Sequence, residues 1–162
     1  MRILFDLDHT LADSTHRERF VDGSLGYEHW DGFYSEEQVL LDAGIKPMVA
    51  LCDSLWRRIG VGAPEHQIKF LTGRDERARA PTVKWLRTQM HLGPFFTERN
   101  SDEWLLMRAL DDRRQNSDYK AAQIDRLISD GWAPDMVFDD EESLAPVLAE
   151  RRITFLQVRA PR

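Results

Sequence analysis

The sequence predicts an α/β protein built on an open parallel sheet with helices on both faces. Three observations predict it. Short apolar runs recur along the chain, amphipathic helical patterns separate them, and several of the runs end in acids or in Thr-Gly-Arg. Strand and helix alternating in this way imply right-handed crossovers, with ligands gathered at the carboxyl ends of the strands.

The first strand is predicted over Arg2 to Asp6 and the second over Gln67 to Leu71. A weaker third covers Trp104 to Arg108, a fourth Met136 to Phe138, and a fifth Ile153 to Val158. Between them, Pro47 suits a first helical turn. Met48, Leu51, Cys52, Leu55, Trp56 and Ile59 then form one apolar face, and Gly60 can end that helix. Pro81 to Met90 turns Val83, Leu86 and Met90 to one side, with Asp75 to Ala80 as a separate turn because proline disrupts a helix interior. Ser117 can cap a helix carrying Ala121, Ile124, Leu127 and Ile128 that stops at Gly131. A shorter helix over Glu141 to Glu150 carries Leu144, Val147 and Leu148 inward. The segment from Ser14 to Gly44, rich in glycine and aromatics, interrupts this alternation and reads as a small cap-like insertion after the first strand, within a single domain 1–162.

Composition narrows the class. The chain has 162 residues, 42% hydrophobic and 31% charged, which suits one soluble domain. No apolar run approaches the roughly 18 residues of a membrane span, and the N-terminus lacks the basic, apolar and small-residue succession of a signal peptide, so a cytoplasmic location is expected. Lys and Arg number 22 against 28 Asp and Glu; the net charge of −6 gives no overall attraction to a phosphate backbone. Basic residues nonetheless cluster at Arg74 to Lys84 and Arg108 to Lys120. The lone cysteine, Cys52, falls on an apolar helical stripe and reads as core, and Trp56 and Trp85 also lie on helical patterns. His16, His29, His66 and His91 show no paired ligand spacing, so zinc is not expected.

The polar residues at the predicted strand ends carry the chemistry. Asp6 and Asp8 follow the first strand, Thr72 the second, and Asp139 and Asp140 the fourth. One such acid is as readily a turn or a helix cap. Several converging acids repel one another unless a cation neutralises them, and oxygen ligands favour magnesium, so Asp6, Asp8, Asp139 and Asp140 are candidate metal residues. A carboxylate held there can attack phosphorus, which makes Asp6 the candidate nucleophile. Asp8 is placed to act as acid and base, Thr72 to hold phosphoryl oxygens, and Lys120 to balance charge in the transition state. Gly73, Arg74, Arg108 and Arg114 are candidates for substrate, because guanidinium groups take phosphate bidentately. Trp30, Phe33 and Tyr34 could stack on a base or pack the insertion onto its core.

Asp-Leu-Asp-His-Thr-Leu, Phe-Leu-Thr-Gly-Arg, Lys120 and Phe-Asp-Asp resemble, in order and spacing, the four motifs of the haloacid dehalogenase superfamily of phosphotransferases. The likeness spans nearly the whole chain and implies the same roles for Asp6, Asp8, Thr72, Lys120, Asp139 and Asp140, with His9 where a glycine is common. His16-Arg17, Trp30-Asp31-Gly32-Phe33-Tyr34 and the stretch Leu106-Met107-Arg108 with Asp112, Arg114 and Lys120 resemble the phosphatase domain of phage polynucleotide kinase and its stand-alone relatives, with Asn116 where an aspartate is frequent. That likeness implies removal of 3′-phosphates from nucleic-acid ends or nucleotides. No Gly-x4-Gly-Lys-Ser/Thr loop occurs in the sequence, so phosphorylation of 5′ ends is not expected, and the chain is expected to act either alone or beside a kinase or ligase on another chain. Two other readings are a phosphatase for 5′-nucleotides or small metabolites, favoured by the acidic charge, and a non-catalytic binding module, which has no need of the full acid set.

Overall fold

The computed structural model of the chain describes residues 1–26, 28–59, 67–90, 92 and 96–159. Five parallel strands form the main sheet: β1 (Ile3–Phe5), β4 (Ile68–Asp75), β5 (Leu105–Arg108), β6 (Met136–Asp139) and β7 (Thr154–Gln157). Their order is β5-β4-β1-β6-β7, with β1 paired to β4 through Ile3↔Ile68 and to β6 through Ile3↔Met136. The order reverses at β1, so the crevice beyond β1 and β6 is where an open α/β sheet takes its ligand.

Central β1 is buried on both faces. Ile3 and Phe5 join one apolar core, and Leu4 joins the other. On the first face α3 (Lys46–Ile59) and α4 (Arg79–Gln89) supply Cys52, Trp56, Val83, Trp85 and Leu86. On the second face α5 (Asn116–Ser129) and α6 (Leu144–Glu150) supply Tyr119, Ile124, Leu127, Leu144 and Leu148. Phe5 and Phe138 stack at 4.6 Å across neighbouring strands. Each large apolar side chain so buried contributes about 1.5–3 kcal/mol.

The predicted elements are present, with shifts that have local reasons. Leu51, expected on the inner face of α3, is 39% exposed; Cys52 and Trp56, four apart, turn inward in its place. The side chain of Ile59, and Gly60, His66 and His91, lie outside the described residues. Pro81 sits third in α4 and not at its start, a first-turn position where no backbone N–H is needed. Asp75 caps a short 3-10 turn, Glu76–Ala78, that leads into α4. α5 starts at Asn116, so Ser117 is inside the helix and Gln115 precedes it. β4 runs on through Thr72-Gly73-Arg74 to Asp75, and its register against β5 shifts between Leu71 and Asp75. That bulge turns the Thr-Gly-Arg segment out of the ladder at the sheet end.

Residues 14–44 leave and rejoin the body through a two-stranded antiparallel ribbon, β2 (Ala12–Asp13) and β3 (Ala43–Gly44). Between these strands lie a 3-10 helix, Thr15–Phe20, and the short helices α1 (Trp30–Phe33) and α2 (Glu36–Leu40). Ser35 caps α2 by accepting from the Gln38 amide. Among the described residues no helix is long and apolar enough to cross a membrane.

Candidate active site

A cleft of about 680 Å³ opens at the carboxyl ends of β1, β4 and β6. Its floor holds Asp6, Lys120 and Asp140. Asp6 follows β1 directly and donates its backbone N–H to Phe138 of β6 at 2.9 Å, which locks the two strand ends together. Lys120, from the second turn of α5, reaches Asp139 Oδ2 at 2.7 Å and Asp6 Oδ1 at 3.1 Å with only 1% of its side chain exposed.

Asp6, Asp139 and Asp140 each offer a carboxylate oxygen, and these oxygens lie within 4.8 Å of one another. Burial and the neighbouring carboxylates push the Asp6 carboxyl up to about 7 despite Lys120. Burial followed by Asp6 raises Asp140 to about 6, and burial also raises Asp139. One lysine does not neutralise three carboxylates, two of them buried. An all-oxygen, net-negative set of this kind fits a hard divalent cation. Asp139 has both oxygens engaged, by Lys120 and by the Glu141 amide.

Asp8, nominated with these acids for the metal, stands outside the cluster. Its Oδ1 accepts from Arg17 Nη2 and from Arg74 Nη2 at 2.7 Å, and its Oδ2 accepts from Arg74 Nε at 3.0 Å. Burial alone would raise the Asp8 carboxyl, but the Arg74 and Arg17 guanidiniums outweigh it and hold Asp8 well below the usual carboxylate range. Asp42 completes the arrangement, accepting from Arg17 Nε at 2.9 Å and Arg74 Nη2 at 2.6 Å. Two arginines and two aspartates thus form a charge-balanced quartet, buried except at Asp8, that joins residues 14–44 to the ends of β1 and β4.

Other nominated residues take unexpected places. Arg74, expected at the substrate, is fully buried and spends its donors on Asp8, Asp42 and Thr82. Thr72 is fully buried and accepts from the Arg74 amide, while Gly73 lines the cleft. A Cβ on Gly73 would stand 2.4 Å from Asn116 Oδ1, so only glycine allows that approach. Arg108 lines the cleft but braces its wall, donating to the Gly73 and Arg114 carbonyls and to Asn116 Oδ1. Asn116 in turn donates to Glu141 Oε2 at 2.7 Å. An aspartate at 116 would meet Glu141 as a like charge, so the amide is the better fit here. Arg114, also on the cleft, is held to Asp112 by Nε and Nη2.

Several site residues carried no assigned role in the sequence: Arg17, Asp42, Glu141, His9 and Arg113. His9 has φ +60°, a left-handed conformation that explains why glycine suits this position, and its Nε2 lies 3.0 Å from Glu18 Oε1. Arg113 lines the cleft, is exposed, and has no hydrogen bond or ion pair among the described residues. The basic run 108–120 was a usable signal for Arg113; nothing local marks Asp42.

No curated protein sequence matches the chain. Among solved structures, a chain of the Pnkp1/Rnl/Hen1 RNA repair complex superposes with TM-score 0.66 at 19% identity, covering 97% of this chain and 42% of that one. A chain from a second structure of the Pnkp1/Rnl/Hen1 complex gives TM-score 0.61 at 18% identity, covering 99% and 46%. The fold is therefore shared, and the present chain spans less than half the length of either neighbour. The family model of the polynucleotide kinase PNKP phosphatase domain, of the haloacid dehalogenase type, matches residues 1–161; the chain belongs to that family and is a phosphoric monoester hydrolase.

Proposed function

We propose that the chain is a magnesium-dependent polynucleotide 3′-phosphatase working through a phosphorylated Asp6. The observation that carries this reading is the arrangement around Asp6, whose carboxylate meets Lys120 at 3.1 Å and has an oxygen within 4.8 Å of oxygens of Asp139 and Asp140. An Asp6 oxygen attacks phosphorus and the bond to the sugar 3′ oxygen breaks; water then cleaves the acyl phosphate, releasing inorganic phosphate and restoring Asp6. Asp6, Asp139 and Asp140 would hold the magnesium, which supplies charge neutralisation and polarises the phosphoryl oxygens. Lys120 balances negative charge that the phosphoryl group brings.

The paired guanidiniums keep Asp8 ionised at rest, which suits it to take the proton of the attacking water in the second step. Donation to the leaving oxygen in the first step requires that Asp8 first gain a proton against those same guanidiniums. Residues 14–44 act as a small cap, since Ser14, Glu18, Trp30, Phe33 and Tyr34 line the cleft opposite the strand ends. The exposed Arg113 supports a nucleic-acid strand over a lone metabolite, because a free guanidinium beside the phosphate site fits a second phosphate. The neighbours belong to the Pnkp1/Rnl/Hen1 RNA repair complex, which supports action beside a separate partner chain.

Phosphate release from matched oligonucleotides and mononucleotides, phosphorylated at the 3′ or the 5′ end, tests this. Release dependent on magnesium and biased to 3′ ends is expected; equal or 5′-biased release would move the assignment to a general nucleotidase.

A second expectation concerns metal and pH. The carboxyls of Asp6, Asp139 and Asp140 are raised in the folded protein, so the metal-free fold binds protons that the unfolded chain has released. This cluster's contribution is therefore most favourable at low pH and is lost as pH rises from the ordinary value of 3.8 to about 7. Magnesium reverses that repulsion. It should raise the melting temperature clearly at pH 8 and little at pH 5, and an equal rise at both would contradict a metal site made of these acids.

A further inference from the structure

The acid centre occupies one end of the cleft, yet about 680 Å³ is open, well within the ~300–1,000 Å³ that holds whole small ligands. Along the remaining wall charged side chains alternate with apolar ones, Val21, Trp30, Phe33, Tyr34, Ala109 and Leu110, and two of the large apolar ones are exposed. Trp30 and Leu110 are 37% and 52% exposed and both line this cleft, one from α1 and the other from the loop after β5. Exposed apolar surface in the cleft has no use for a phosphate, which is solvated or ion-paired, but it fits an uncharged flat ring.

Trp30 is held firmly enough to serve as a platform. Its ring stacks on Tyr34 at 5.8 Å and 25°, meets the edge of Phe33 at 5.6 Å, and donates its indole N–H to Glu28. The Tyr34 hydroxyl reaches the Gly73 carbonyl at 3.4 Å, so this aromatic ladder ends at the phosphate side of the cleft. A platform already ordered loses little entropy when a ligand stacks on it.

We propose that Trp30 and Leu110 grip the base of the nucleotide that carries the scissile phosphate, making the base a determinant of turnover. The inference rests on the nucleotide-phosphatase reading above. It is tested by kcat/KM on two substrate pairs: a 3′-phosphorylated oligonucleotide with a normal or an abasic terminal nucleotide, and a nucleoside 5′-phosphate against base-free ribose 5-phosphate. In whichever pair is hydrolysed, the wild type should favour the base-bearing member by about 5- to 150-fold, the range that base stacking supplies. Trp30→Ala should bring that ratio close to one and Leu110→Ala should lower it less, while Trp30→Phe should restore most of it. A ratio near one in the wild type, or a Trp30→Ala loss equal on both members, overturns the base grip and leaves the phosphatase assignment standing. A large base ratio seen only in the 5′ pair supports the grip and overturns the 3′-end assignment.

Discussion

Asp6→Asn is expected to lower magnesium-dependent turnover by on the order of 10⁴–10⁶-fold, the scale on which loss of a covalent nucleophile is felt. An amide nitrogen or oxygen at that position cannot form the acyl phosphate, and neither Lys120 nor Asp139 can replace the lost attack. The fold should not suffer with the activity. The Asp6 carboxyl is raised to about 7, so at pH 8 the wild type buries a charge that the variant does not. Lys120 keeps Asp139 at 2.7 Å in its absence. The metal-free variant should therefore melt at or above the wild-type temperature at pH 8 and gain less from added magnesium. Thermal unfolding beside steady-state kinetics separates the two effects. Full magnesium-dependent activity in Asp6→Asn would refute the nucleophile assignment.

The parts of this molecule that were legible in the sequence are those whose signal is local. β1 and β6 are short apolar runs that stop at acids, and the same few residues define both the strand and the chemistry at its end. The α3 pattern gave its bounds to within a residue or two, because Pro47 and the apolar spacing are read within one helix. What was not legible depends on partners distant in the chain. Arg17 and Asp42 lie 25 residues apart in a segment with no sustained periodicity, and neither resembles a buried residue until it is paired. Arg74 and Arg108 were expected at a phosphate on chemical grounds. Both have donors that structural acceptors take up, Asp8, Asp42 and Thr82 in the first case and two carbonyls and Asn116 in the second. The extension of β4 into the Thr-Gly-Arg bulge likewise follows from its register on β5, which no reading of β4 alone supplies.

The same quartet sets the other large expected effect. Asp42 is fully buried between two arginines whose side chains are themselves 0% exposed, and Asp8 is their remaining carboxylate. Asp42→Ala leaves two guanidiniums to share one acid, an uncompensated buried charge that costs about 3–5 kcal/mol. It also frees Arg17 and Arg74 to draw Asp8 away from the cleft floor, so kcat should fall along with stability. Arg17→Met alone should cost a similar amount, because Asp42 then keeps only Arg74. The double variant Asp42→Ala/Arg17→Met restores neutrality, with Arg74 paired to Asp8. Its destabilisation should fall short of the sum of the two single losses by more than about 1 kcal/mol, outside the few tenths within which independent sites add. Denaturant unfolding of the four proteins measures that coupling. Additive losses would mean that the two side chains act separately and that residues 14–44 are not held to β1 and β4 by this charge balance.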